Sequence, residues 1–460
     1  MTKAPFISTR LFVPEEWVDE VTLRTQLTVY PKVHPTAEPR DPIPIYDIGS
    51  YPGYIGVPIS WGMKVYGKRA EVEDRTVMGR AFEPPDRPDP NHPAVKEPKA
   101  QAQFMEDMLD ANVDHYSCLG VAATGTGKSA VALNTAAELG RSTLVIVPLQ
   151  RLAKQWVETA VNVLGMKRSD IGIVQGPKCQ YDKRLCIGII NSISQKEYPP
   201  EFYHAFGTVI WDELHKYGSQ MFSNSIAMFP ARYKIGLTAT PYARKDGTAP
   251  VYMHYFGGNT VSSEATSVPA KVHVLRYKKS GKVFGEDDRN LMLRCLQTDQ
   301  VRNDILTKVI CQLYDHGRHI LGIGHGVDHI ERLIECLVDQ GVPRDDIGQF
   351  TAEHNLENGK RGKTSDEYLD WCKETPAIIL ATTQMMTMGV DVPRLDAGVE
   401  LTPRTDGIQP MGRIRRPYPD KEVALWYSFV DTRFGMLQGY YKARKKEWRS
   451  DPQIKVIEHG

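Results

Sequence analysis

The sequence predicts an α/β protein: two parallel-sheet lobes in tandem, preceded by a small strand-containing accessory domain. Three observations carry this. From about residue 99, short apolar runs alternate with amphipathic helical stretches, as parallel strands buried on both faces require. The alternation restarts near Gln297, giving two units of similar size. The first 95 residues differ, breaking short β-like runs with many prolines. A polar, proline-rich stretch, Glu83 to Pro98, reads as an extended linker. The expected divisions are therefore residues 1–95, 96–265 and 266–460.

In the first segment, Thr25–Tyr30, Tyr54–Ile59 and Met63–Tyr66 read as strands. In the second, Cys118–Val121 reads as a strand entering a glycine turn, with a helix over Ala130–Leu139 beyond it. Leu144–Val147, Ile187–Ile190, Thr208–Trp211 and Tyr233–Leu237 read as further strands, and Lys271–Tyr277 as a crossing strand. In the third, helices are expected over Arg302–Asp315 and Val327–Gln340, and strands over Ile320–Ile323, Ile378–Ala381 and Ala424–Phe429. Tyr440–Arg449 reads as a basic helix, either a solvated face or a nucleic-acid contact.

Composition excludes several classes. With 57 basic and 56 acidic residues, any phosphate-binding face must be a local patch. No apolar run is long enough for a membrane span and no signal-peptide core opens the chain, so a cytoplasmic protein is expected. Seven cysteines, an odd number, argue against a disulfide framework and for buried thiols. No protein partner is deducible.

The chemistry begins at Val121–Ser129, where strand, glycine turn and helix succeed one another. That order builds a phosphate cradle: backbone N–H groups of Thr124, Gly125, Thr126 and Gly127 close on phosphate oxygens, and the helix N-terminus adds its dipole. Lys128 is placed for the β- and γ-phosphates and Ser129 for Mg²⁺. Ala122 replaces the usual first glycine. ATP with Mg²⁺ is the expected cofactor pair. Gln101 and Gln103 both precede the loop, ahead of Phe104, Met105 and Met108, and Gln101 is the preferred candidate for a Q-motif-like glutamine that reads the adenine edge.

Downstream, Asp212 and Glu213 close an apolar strand, at the end where open α/β sheets bind ligands. Asp212 suits Mg²⁺ coordination through water, and Glu213 suits orientation of the attacking water. The stretch Asp212-Glu213-Leu214-His215 resembles motif II of the DEAH-like superfamily 2 helicases. Val147–Trp156 resembles motif Ia, Gly236–Pro241 motif III, Ala381–Thr383 with Met388–Pro393 motif V, and Gln409–Arg416 motif VI, all in the family's order. Arg244-Lys245-Asp246 resembles an element of XPB-like DNA helicases, and the compact layout resembles UvsW-type phage helicases. Thr-Ala-Thr in motif III departs from the latter.

The resemblance implies two RecA-like lobes that clamp ATP. It gives Arg413 and Arg416 of motif VI the task of stabilising γ-phosphate charge; one helical turn apart, they would share a face. Gly389 and Asp391 would touch the nucleotide, while His215, Thr238, Thr240 and Gln409 would couple its state to lobe movement. Pro148, Arg151, Asn191, Ser192, Arg244, Thr382 and Arg415 would contact the nucleic-acid backbone. In the first segment, aromatic and basic residues interleave from Tyr51 to Arg69, as a junction-binding surface or a small β core would have them. The implied activity is an ATP-dependent helicase or translocase acting on forked, branched or single-stranded/duplex DNA in replication, recombination or repair. An RNA helicase and a duplex translocase of a restriction or defence complex are the alternatives.

Overall fold

The computed structural model describes residues 3–33, 38–85, 98–123, 126–242, 244, 246–263, 267–278, 288–355, 360–387 and 392–459. The chain divides into two compact units, Met1–Ala265 and Thr266–Gly460.

The first unit opens with a small sheet. Its strands are β1 (Phe6–Ile7), β2 (Leu11–Pro14), β3 (Asp47–Ile48), β4 (Tyr54–Val57) and β5 (Glu73–Asp74), ordered β3-β4-β2-β1-β5. One face, with Ile7, Leu11, Val13, Ile55 and Val57, packs on helix α1 (Ile59–Tyr66) and reaches Val251 of the following α/β layer. Met63–Tyr66 is therefore helical rather than extended, and Thr25–Tyr30 holds the end of a short helix, Glu20–Thr25, and a two-residue strand. Four residues are too few to distinguish the two periods. Gly62 decides it: a Cβ there would lie 2.6 Å from Val57 Cγ2 and 2.8 Å from Leu11 Cδ2, so the helix lies directly on the sheet.

This segment is continuous with the α/β layer behind it. Val77 N–H donates to Pro230 O, Phe82 N–H to Gly140 O and Ser142 N–H to Arg80 O. Lys234 is enclosed at the junction, its Nζ donating to Ala231 O at 2.7 Å and Ser8 O at 3.4 Å. Burial, helped by the charge of Arg232, lowers this ammonium to about 7.

Helix α2 (Pro98–His115) leads into the main sheet: β6 (Ser117–Val121), β7 (Thr143–Val147), β8 (Ile171–Gln175), β9 (Lys178–Cys179), β10 (Leu185–Ile189), β11 (Thr208–Trp211), β12 (Tyr233–Thr238) and β13 (Thr260–Ser262). The order is β9-β8-β10-β7-β11-β12-β6-β13, parallel except at the β8–β9 hairpin. Residues such as Leu144, Val145, Ile146 and Val147 are wholly buried because helices cover both faces. Helices α3 (Lys128–Leu139) and α4 (Gln150–Leu164) cover one of them, α4 turning Ala153, Trp156, Ala160 and Val163 inward.

The second unit is an all-parallel seven-stranded sheet. It comprises β14 (Ala270–Tyr277), β15 (Ile320–Gly324), β16 (Ile347–Phe350), β17 (Ile378–Thr382), β18 (Ala397–Glu400), β19 (Ala424–Asp431) and β20 (Ile454–His459), ordered β16-β17-β15-β18-β19-β14-β20. Helices α5 (Gln300–Asp315) and α6 (Val327–Asp339) pack on one face, while α7 (Ile408–Ile414) and α8 (Gly435–Arg449) belong to the cluster on the other. Arg302 of α5 is fully buried, donating to Asp431 Oδ1 at 3.0 Å and Leu401 O at 2.7 Å. All seven cysteines are free thiols, and burial pushes Cys118 and Cys186 up to about 12. Among the described residues no helix is long and apolar enough to cross a membrane.

Candidate functional site

Parallel pairing gathers the motifs of the first unit at one sheet edge. The register sets Ile189 beside Val147, Trp211 beside Ile146 and Gly236, and Thr238 beside Val121. The loops after β6, β7, β10, β11 and β12 thus all emerge at the carboxyl end, where ligands bind in such sheets.

Of the phosphate loop, Thr124 and Gly125 lie outside the described residues. Gly127 adopts φ +83°, a left-handed conformation open to glycine, and caps α3 without a side-chain bond. A Cβ at Gly127 would also fall 2.4 Å from Gln101 Nε2. Gln101 is 4% exposed, and its Nε2 donates to Thr126 O at 2.7 Å, while its Oε1 is buried with no hydrogen-bond partner. Gln103 instead faces outward, bonded to Asp107. Lys128 Nζ donates to the carbonyls of Ala122 and Ala123, both at 2.9 Å, and Ser129 occupies the first turn of α3.

Asp212 lies buried at the end of β11. Its Oδ2 accepts from Trp156 Nε1 at 2.8 Å and its Oδ1 from Glu213 N–H at 2.9 Å. Burial, then the nearby Glu213 charge, pushes this carboxyl up to about 6, against the opposing effects of Trp156 and Lys128. Glu213 itself takes φ 51°, a left-handed conformation rare for a residue with a side chain. The turn brings its carboxylate 3.3 Å from His215 Nδ1, which lies 3.1 Å from Thr238 Oγ1; that hydroxyl also accepts from Thr240 N–H at 3.1 Å. Desolvation lowers the His215 pKa, favouring the neutral ring. A short polar path therefore runs from Glu213 to the backbone of Thr240.

These residues fit a magnesium nucleotide. The N-terminus of α3, capped by Gly127, turns its dipole toward an anion, and a desolvated carboxylate with both oxygens on neutral donors would be relieved by a cation.

Among the expected nucleic-acid contacts, Pro148 and Arg151 flank the start of α4, half-buried, and Asn191 is exposed. Ser192 Oγ accepts from Gly176 N–H, and Thr382 Oγ1, at the end of β17, from Met385 N–H. Two of the expected contacts have partners of their own. Arg244 grips Asp246 with Nε and Nη2 and donates to His215 O, holding Asp246 at about 2. Arg415 is 4% exposed and donates to Val268 O, Asp451 and Gln453, tying α7 to β20's approach. Both guanidinium groups are engaged within the fold. Lys245, between Arg244 and Asp246, lies outside the described residues.

In motif VI, α7 ends at Ile414, so Arg413 is helical and Arg416 lies beyond the helix. Pro417 disfavours helical backbone at Arg416, which removes the shared helical face. Both arginines are buried, and burial lowers Arg416 to about 10. Gln409 lies on α7, its side chain outside the description, as are Gly389 and Asp391 entirely. Sequence reasoning assigned no chemical role to Trp156.

Residues 95–243 match the family model described as the type III restriction enzyme, res subunit. The chain is 23% identical over 456 residues to "Putative ATP-dependent RNA helicase L396" of Acanthamoeba polyphaga mimivirus, covering 94% of this chain and 81% of that protein. It is 26% identical to "Probable helicase D10" of Escherichia phage T5, covering 61% of this chain and 59% of that one. The fold is similar to that of the ATP-dependent type ISP restriction-modification enzyme LlaBIII bound to DNA, with a TM-score of 0.55 and 16% identity over 86% of this chain and 34% of that chain.

Proposed function

The chain is a superfamily 2 helicase that hydrolyses ATP, and from that premise we propose that it moves on DNA, unwinding or branch-migrating forks and junctions. The observation that carries the motor reading is the path Glu213–His215–Thr238–Thr240, which joins the hydrolytic carboxylate to the neighbouring strand's loop. Such a path lets a change at the phosphate move a second segment.

In this reading the Thr126–Ser129 turn cradles the phosphates and Lys128 neutralises them. Ser129 and Asp212 would hold Mg²⁺, Asp212 through water, and a bound ion would supply charge to offset that of the phosphates. Gln101 reads the adenine edge with its buried Oε1. Glu213 orients the attacking water and takes its proton. Arg413 and Arg416 stabilise γ-phosphate charge during transfer. Pro148, Arg151, Asn191, Ser192 and Thr382 touch the backbone of the track without reading its sequence.

DNA is favoured by the DEAH-like motif II and by the Thr-Ala-Thr motif III. An RNA track is the second reading, favoured by the mimivirus relative, which is named as an RNA helicase and aligns over 94% of this chain. The test is ATP hydrolysis against single-stranded, duplex, forked and four-way DNA and against RNA. Selective stimulation by branched DNA, with strand separation, is expected. Stimulation by RNA alone overturns the DNA assignment.

A further inference from the structure

The strongest geometry without a role in the reading above lies between α4 and β11. Trp156 is 1% exposed and Asp212 6% exposed, and the indole Nε1–H donates to Asp212 Oδ2 at 2.8 Å. An indole nitrogen only donates, so its partner must be an acceptor, as an ionised carboxylate is. The second oxygen accepts from Glu213 N–H, and the Asp212 N–H donates to Ile146 O at 3.0 Å. The carboxylate is thus fixed by two donors from separate elements, and its backbone by the adjacent strand. One of those donors rides on a helix.

Packing alone does not call for tryptophan here. Ala153, Ala160 and Val163 share the inward face of α4 with Trp156, and none of these apolar neighbours needs a hydrogen-bond donor. Only tryptophan joins a large ring to an N–H at this reach, and a phenylalanine would leave a buried carboxylate oxygen short of a donor.

We propose that Trp156 is a positioning residue for the hydrolytic site, its indole N–H setting the plane of the Asp212 carboxylate for metal binding. It acts through Asp212 and touches neither nucleotide nor water. Outer-shell partners that orient the groups of a metal site are worth about 10- to 100-fold in metal affinity or activity. Because Trp156 shares α4 with Arg151, a shift of the helix by the track also moves this donor. The inference rests on Asp212 as the carboxylate that would hold the metal through water.

The test is Trp156→Phe in the full chain, alongside Lys128→Ala. Mg²⁺-dependent binding of a fluorescent ADP analogue should need roughly tenfold more Mg²⁺ in Trp156→Phe, with metal-free binding unchanged. The kcat for ATP should fall by a similar factor while KM stays within about twofold. Unaltered Mg²⁺ dependence and kcat in a folded Trp156→Phe protein overturn the proposal. So does an equal loss of metal-free and Mg²⁺-dependent binding, the mark of a packing defect. Where that variant fails to fold, indole ¹⁵N–¹H spectra of the wild type and of Asp212→Asn decide. One tryptophan N–H resonance should move with Asp212→Asn, and an unchanged set of seven overturns the idea. Wild-type turnover in Lys128→Ala would instead sink the site assignment itself, whatever Trp156 does.

Discussion

A left-handed φ at Glu213 costs about 1–2 kcal/mol for a residue with a Cβ, and the chain retains it where the turn brings the carboxylate to His215. Glu213→Gln keeps the shape and removes the base, so nucleotide binding should persist while turnover falls by about two to four orders of magnitude. Lys128→Ala should lose both ATPase and tight nucleotide binding, measured by phosphate release and by equilibrium binding. Lys234 sets a different expectation. Its folded pKa of about 7 lies below the ordinary 10.5, so the unfolded chain binds more protons between those values. Stability should therefore rise as pH climbs from about 7 towards 10 and be least below 7. Lys234→Met should flatten that rise in urea unfolding at pH 7 and 9.5. The residues of the phosphate loop and of the acid pair were legible because each set is contiguous in sequence. Trp156 was not, since its partner lies 56 residues away and only the β7–β11 pairing brings α4 against it.

Elements whose composition alone dictates burial were read within a residue or two. Leu144–Val147 and Val209–Trp211 are apolar throughout, and such runs have one comfortable place in an α/β sheet. Ala397–Glu400 escaped notice because two of its four residues are small and a third is a glutamate. That glutamate is wholly buried because Ser428 and Arg444 satisfy it. Charge inside a sheet is invisible until its partners are known. The same holds for Arg302, which joins α5 to Asp431 at the end of β19. Asp431→Ala leaves a buried guanidinium uncompensated and should cost about 3–5 kcal/mol of the second unit's stability in urea. The activity of protein that remains folded should change little.

At the scale of the molecule, the first unit carries its leading segment as part of its own core. Val251 packs among Ile7, Leu11 and Val57, and Phe82 belongs to the cluster under α3 and α4. Deleting residues 1–82 should lower the calorimetric melting temperature of the first unit, beyond any effect on branched-DNA binding. An unshifted melting temperature with weakened branched-DNA binding would make the segment a substrate module alone. Proline density made this segment look detachable, whereas the contacts that attach it are backbone hydrogen bonds and apolar side chains scattered along the chain.

The second unit's sheet sets β14, its first strand, between β19 and β20, its last two, with Ala270 paired to both Ala424 and Ile454. A ribosome therefore releases the opening strand long before either neighbour exists. Until the final strands emerge, β14 exposes both hydrogen-bonding edges, the condition under which nascent chains recruit chaperones or pair wrongly. Stalled or prematurely terminated synthesis of this protein should yield a product whose first lobe folds and whose second aggregates.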